Sequence, residues 1–304
     1  MAWHRRVDTV GWTPSGGTVE APLTPLLELA GIRVQATSMG GVETCIRLPD
    51  LGLCFDMGSC PRDAVRLKTV LFTHAHVDHM AGVVHHCATR DMQGMAPPLY
   101  VMPPRLCAPF RAMLDAWADL DGSPLPCRIQ PLAPGEELEL KKGIFARPFA
   151  TPHRVLSQGY VLVDRRQKLR PELQGLPGEA LRARKAAGLP LTVERDAPLF
   201  AFTGDSRIEG LVHTPLALKA ELLVMEVTFL DERVSVEATR DKGHIHLDEV
   251  IERAEMFENR AILFTHLSTR YGPREAWQIV ARRLPPSLRD RVTLLAWANR
   301  SAEG

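Results

Sequence analysis

Apolar positions along the chain come in short runs separated by turn residues. The segments "IRVQATS", "GVETCIRL" and "LGLCFDMG" (32–38, 41–48 and 51–58) read as three short strands broken by Gly-Gly and Pro-Asp turns, a hairpin-rich opening. Next, "TVLFT" (69–73) reads as a buried strand, and "DHMAGVVHHCATRDM" (78–92) has helical spacing. The Pro-rich "MAPPLYVMPPRL" holds another strand, and "CAPFRAMLDAWADLDG" predicts a helix ending at Gly122. The second half repeats the alternation, with strands near 144–150, 159–163, 199–203, 222–227, 261–265 and 292–296 and helices near 178–187, 247–258 and 274–283. Residues 1 to about 30, rich in Gly, Pro and Thr, read as an extension to which no structure is assigned, and residues 31–304 as a single α/β domain.

Composition narrows the classes. A chain of 304 residues with 45% hydrophobic content buries a large core, and a formal charge of +1 excludes a global polycation. Any contact with nucleic acid must then come from a local patch. The start, "MAWHRRVDTVGW", has no long apolar h-region, and no stretch approaches the roughly 18 apolar residues of a membrane span. A soluble cytoplasmic protein is expected. Cys45, Cys54, Cys60, Cys87, Cys107 and Cys127 form no CxxC pair and read as reduced, mostly buried thiols.

The chemistry gathers at strand ends. "VLFTH" closes with His74, "PFATPH" with His153, "FAFTGD" with Asp205 and "ILFTH" with His266; in each, a Thr follows the apolar run and a His or Asp comes within two residues. Strand ends on one side of an α/β layer share an edge, where sites collect. His74 and His76 lie two apart on extended chain and point the same way, while Asp78 and His79 open the next helix and can face a second ion. A histidine-rich donor set without thiolate suits two Zn2+ ions, with Mn2+ or Fe2+ as substitutes, and Asp205 on its Gly-Asp turn is the natural bridge. Two such ions suit phosphoryl displacement. His85, His86 and Cys87 read as helix residues with no ligand role, His4 and His213 lack ligand-like neighbours, and His246 reads as a cap or supporting residue.

HxHxDH followed by isolated His, Asp and His at strand ends resembles the metallo-β-lactamase superfamily. The stretches "GGVETCIRLP", "FDMGSCP", "THAHVDHMAG", "HRVLSQGYVL", "AFTGDS", "LVMEVTFLDERVSVEATRDKGHIHLDE" and "ILFTHLSTRYGPRE" resemble more closely the short form of tRNase Z, the tRNA 3′-processing endoribonuclease, particularly its plant-like members, over about residues 34–298. The resemblance implies an αββα sandwich of two mixed sheets flanked by helices. It implies that His74, His76 and His153 hold one zinc, that Asp78, His79 and His266 hold the other, and that Asp205 bridges them. Glu226 stands where the family has the glutamate of its His-Glu-Ala-Thr loop, with Met225 and Val227 in place of His and Ala; His244 stands where it has a second-loop histidine, with Ile245 and His246 in place of Ser-Thr. Asp78, Glu226 and His244 are then the catalytic candidates, His244 as the proton donor that a leaving 3′-oxygen needs. Arg270, in the loop after the last ligand, can contact a phosphate. Precursor tRNA as substrate and a homodimer are also implied.

The insert at about 165–198 carries Arg165, Arg166, Lys168, Arg170, Arg182, Arg184 and Lys185 against Glu172 and Glu179 in its first part. In the family this region can build an arm that holds tRNA, so Arg165, Arg166, Lys168 and Arg170 are candidate RNA contacts. Two other classes share parts of the pattern. A hydrolase of a small phosphodiester, lactone or thioester would keep the ligands without needing Glu226, His244 or the basic insert. A non-catalytic RNA-binding protein would not need the full ligand set.

Overall fold

The computed structural model describes residues 26–296 of the chain. Two seven-stranded sheets are stacked face to face. In chain order the first contains β1 (Leu26–Leu29), β2 (Ile32–Met39), β3 (Glu43–Leu48), β4 (Leu53–Phe55), β5 (Thr69–Leu71), β6 (Leu99–Met102) and β7 (Arg128–Pro131); β1 to β4 pair antiparallel and β4 to β7 parallel. The second contains β8 (Leu138–Lys141), β9 (Ile144–Ala150), β10 (Gln158–Leu169), β11 (Thr192–Phe202), β12 (Leu222–Glu226), β13 (Ala261–Thr265) and β14 (Val292–Leu294), antiparallel from β8 to β11 and parallel from β11 to β14. The helices are α1 (Val77–Met80), α2 (Val83–Met92), α3 (Pro104–Asp121), α4 (Gly178–Ala186), α5 (Glu209–Val212), α6 (Pro215–Leu218), α7 (Val236–Asp241), α8 (Leu247–Glu252), α9 (Pro273–Arg283) and α10 (Pro286–Arg289).

The apolar runs explain the layering. A strand covered on both faces needs no polar side, and alternate residues of one run enter different cores. Leu222 and Val224 of β12 face the first sheet, where Phe55 stacks on Phe200 at 5.1 Å between ring centres; Leu223 and Met225 face the helices on the other side. Val70 and Phe72 around β5 likewise pack against α2 and α3, while Leu71 joins the inter-sheet core. The result is the αββα sandwich expected, with two mixed sheets between layers of helix.

Several elements differ from the sequence reading in physically clear ways. The first sheet begins at Leu26, so the boundary expected near residue 30 falls inside the β1–β2 hairpin; residues 1–25 lie outside the described residues. The helix expected over 78–92 is two, α1 and α2, joined at Gly82, where a Cβ would stand 2.5 Å from the Ser59 carbonyl carbon. The helix near 247–258 shortens to α8, followed by a single turn over Ala254–Met256. Strands β10 and β11 run on past the sheet, from Arg165↔Asp196 to Leu169↔Thr192, as an exposed two-stranded ribbon tipped by α4. With solvent on both faces the ribbon has no apolar side to announce it.

The C-terminal ends of β9, β11, β12 and β13 share one edge of the second sheet: the last three are parallel, and β9 is antiparallel to the antiparallel neighbour of β11. This edge gathers the ends of "PFATPH", "FAFTGD", "VMEV" and "ILFTH" in one place.

Candidate metal centre

His74 follows β5, His153 follows β9, Asp205 follows β11, Glu226 ends β12 and His266 follows β13. His76 is the N-cap of α1, and Asp78 and His79 lie in its first turn. His74, His76, His153 and Asp205 each offer a donor atom within 4.8 Å of the others, and Asp78, His79 and His266 form a second such group. Asp205 stands between them: Oδ1 is 3.2 Å from His79 Nε2, while Oδ2 is 3.3 Å from His266 Nε2, 3.8 Å from His74 Nε2 and 3.9 Å from His153 Nε2.

The protein fixes which nitrogen each imidazole turns inward. His153 Nδ1 donates to the Gly243 carbonyl at 2.8 Å, and His79 Nδ1 donates to Asp56 Oδ2 at 2.7 Å. The Thr73 hydroxyl gives its proton to Asp56, so at 2.9 Å it accepts from His74 Nδ1; the Thr228 hydroxyl gives its proton to Glu226, so at 3.1 Å it accepts from His266 Nδ1. Each of these rings therefore turns Nε2 inward, and His76 Nδ1 lies 3.0 Å and 3.3 Å from the Nε2 atoms of His74 and His153. Such outer partners orient and strengthen metal-ligating histidines.

Whether cations fit here is decided by what is left unsatisfied. His79 Nε2, His266 Nε2 and Asp205 Oδ1 are buried and have no hydrogen-bond partner among the described residues, which is costly unless something positive occupies the space they face. Burial holds the His74, His76 and His153 imidazoles below their usual range, in the neutral form a ligand requires. At His79 burial works the same way but is overcome by Asp205 and Asp56, so this pocket demands positive charge. The donor set fits divalent metal ions.

Beside the ligands, Glu226 is 1% exposed and accepts from Ser206 N at 2.7 Å and His244 Nδ1 at 2.9 Å on one oxygen, and from Thr228 Oγ1 at 2.5 Å and Ile245 N at 3.2 Å on the other. The His244 ring lies 5.2 Å from that of His266 and 5.3 Å from that of His153. Burial pulls the His244 imidazole down, and the Glu226 charge and hydrogen bond more than reverse this, raising it to about 9.

The remaining candidates are placed as follows. Arg270 is exposed in the turn after β13. Arg165 is tied to Glu137 and Asp196 with its guanidinium 4.2 Å over the Phe145 ring, Arg166 pairs with Asp164 and Arg170 with Glu172, so these three are engaged within the ribbon; Lys168 is exposed. His246 caps α8, accepting from Asp248 N at 3.1 Å. His86 is a core residue bonded to Tyr100 and Leu67, His213 caps α5, and His4 lies outside the described residues.

Asp56, Thr228 and Gly41 were missed by sequence reasoning. Asp56 follows β4 as Asp205 follows β11, so the strand-end rule itself could have found it. Gly41 N donates to Asp78 Oδ2 at 3.0 Å from the turn between β2 and β3. Asp56 and His266 both hold left-handed φ (55° and 57°), strain of a kind that collects at functional sites.

A family model for the beta-lactamase superfamily domain matches residues 54–267. A tRNase Z of Arabidopsis thaliana is 39% identical over 88% of this chain and 96% of its own length. A chloroplastic tRNase Z of the same plant is 36% identical over 84% of this chain and 73% of its own length. Among solved structures, the short form of human tRNase Z superposes with a TM-score of 0.58 at 18% identity, covering 86% of this chain and 96% of that one, a likeness of fold.

Proposed function

The chain belongs to the tRNase Z family within the beta-lactamase superfamily, and from that premise we propose that it is a metal-dependent endoribonuclease that hydrolyses one phosphodiester of precursor tRNA, removing the 3′ trailer and leaving a 3′-OH. The observation that carries the reading is the buried Glu226 holding His244 beside the metal ligands. A small activated ester needs no proton on its leaving group, whereas a ribose 3′-oxygen does.

In this reading His74, His76 and His153 hold one ion, Asp78, His79 and His266 the other, and Asp205 both. Bound there, two divalent ions, zinc on the chemistry of the donors, with Mn2+ or Fe2+ as substitutes, supply a nucleophile from water at neutral pH and neutralise charge on the reacting phosphate. The residues do the rest. Asp56, Thr73, Thr228 and the Gly243 carbonyl keep the imidazoles oriented. Gly41 steadies Asp78. Glu226 keeps His244 protonated on Nδ1 and aligned, leaving Nε2–H to pass a proton to the departing oxygen. Arg270 and the cations of the β10–β11 ribbon, Lys168 foremost, meet phosphates of the RNA body, with Arg165, Arg166 and Arg170 shaping the ribbon that carries them. Among the described residues no helix is long and apolar enough to cross a membrane; the cytoplasm as its compartment and a homodimer as its assembly belong to the same proposal.

The test is to incubate metal-replete protein with a precursor tRNA bearing a 3′ trailer. Release of the trailer, abolished by chelator and restored by Zn2+, supports the reading; no release from any precursor overturns it.

A further inference from the structure

The loop carrying His244 lies closer to the loop carrying His153 than side chains ordinarily permit. Gly243 is buried with φ of +83°, and a Cβ on it would stand 2.7 Å from His153 Nδ1, 3.1 Å from Arg154 N and 3.3 Å from Arg154 Cγ. Only a glycine both adopts this backbone and allows this approach. The consequence for Arg154 is that its stem rests against the residue directly before His244, and Lys242 flanks the same glycine from the other side.

Arg154 and Lys242 are exposed, and neither side chain makes an ion pair or hydrogen bond among the described residues. Their neighbours differ. Arg207 donates to the Arg240 carbonyl at 2.7 Å, and Arg240 pairs with Glu209 and Glu249. Of the carboxylates within the site, Glu226 takes its four donors and Asp205 faces the histidines, while Asp241, exposed beside Lys242, forms no ion pair with it. Two exposed cations without an ion pair among the described residues therefore flank the glycine that precedes the proton donor.

We propose that Arg154, with Lys242, binds a second phosphate of the RNA, the one on the 5′ side of the nucleotide whose 3′-oxygen leaves. The assignment rests on His244 as the acid of the proposed reaction. If His244 faces the leaving 3′-oxygen, the next backbone phosphate beyond that nucleotide is the anion that cations beside His244 meet. A guanidinium suits such a contact, since its planar fork matches two phosphate oxygens. The site would anchor the tRNA end against the acid and give a polynucleotide an advantage that a lone phosphodiester lacks.

The test uses precursor tRNA carrying one neutral methylphosphonate at that linkage, compared with unmodified precursor, and with wild-type protein and Arg154→Gln, which keeps the stem over Gly243 while removing the charge. A charge-assisted contact of this kind predicts that wild-type kcat/KM falls roughly 10- to 100-fold on the modified RNA, that Arg154→Gln falls by a similar factor on unmodified RNA, and that the two losses do not multiply when combined. The salt slope of binding should drop by about one unit in the variant. Losses that multiply, or a variant defect as large on a nitrophenyl phosphodiester, would show that Arg154 only supports the loop and would overturn the inference. Failure of the wild type to cleave unmodified precursor would instead remove the functional reading, and this site with it.

Discussion

Replacing Glu226 by Gln keeps the shape of the side chain and removes its charge, and the structure says what each change does. With the carboxylate present the His244 imidazole stands at about 9, so near pH 7.5 almost all of it is protonated. Without that charge the main support against burial is gone, and the imidazole falls from there. Once it falls below the working pH, each further unit costs about tenfold in the protonated fraction and in the cleavage step that needs it. Removing the acid outright by His244→Ala sets the ceiling, about 100- to 10,000-fold. The sign follows from the raised value: proton-donor function is full below the imidazole's pKa and lost as pH rises through it, so the wild type declines only toward about 9 while the variant declines at lower pH. The defect should therefore shrink toward pH 6. The amide also meets the four donors now shared by two oxygens with only one accepting oxygen, at a cost of about 1–3 kcal/mol. Single-turnover cleavage of precursor tRNA across pH, beside metal analysis and thermal unfolding, checks both effects. A defect that is constant with pH, or one explained by lost metal, would show that Glu226 does not act through the charge of His244.

Asp205→Ala removes the one carboxylate lying between both ligand groups, and elemental analysis should find less than one ion per chain; two retained ions would contradict its bridging place. Gly243→Ala forces a Cβ to 2.7 Å from His153 Nδ1 at a φ of +83°, so it should destabilise the fold by about 1–3 kcal/mol and slow cleavage, and an unchanged unfolding midpoint would count against the close approach. In the ribbon, Lys168→Ala should lower the salt slope of tRNA binding by about 0.7–1, while Arg165→Ala should act through structure, speeding hydrogen exchange over residues 165–197 as its links to Glu137 and Asp196 are lost; the reverse pattern would exchange their roles.

The residues that set the sandwich and the candidate ligands are those whose pattern is local. Apolar runs closing in Thr and then His or Asp mark where β5, β9, β11 and β13 stop, and Gly122, with φ of 72°, ends α3 where the sequence places its stop. What stayed hidden depends on contacts between distant segments. Thr228 is an ordinary threonine until it stands between Glu226 and His266, and Gly243 an ordinary turn glycine until it meets His153. The ribbon was hidden for the opposite reason: its charged residues answer one another across strands and to Glu137, so no hydrophobic period marks it. Charge alone marked Arg165 as a candidate RNA contact, and its place over Phe145 between two carboxylates could not be read from the sequence.

The central claim is that water, not the neighbouring ribose hydroxyl, attacks the phosphodiester of a precursor tRNA. Cleavage in 18O-labelled water followed by mass analysis of both fragments tests it most directly. Attack by water leaves an upstream fragment ending in an unlabelled 3′-OH and a trailer beginning with a 5′-phosphate that carries one 18O. A 2′,3′-cyclic phosphate on the upstream fragment, or a trailer with a 5′-OH, would contradict it.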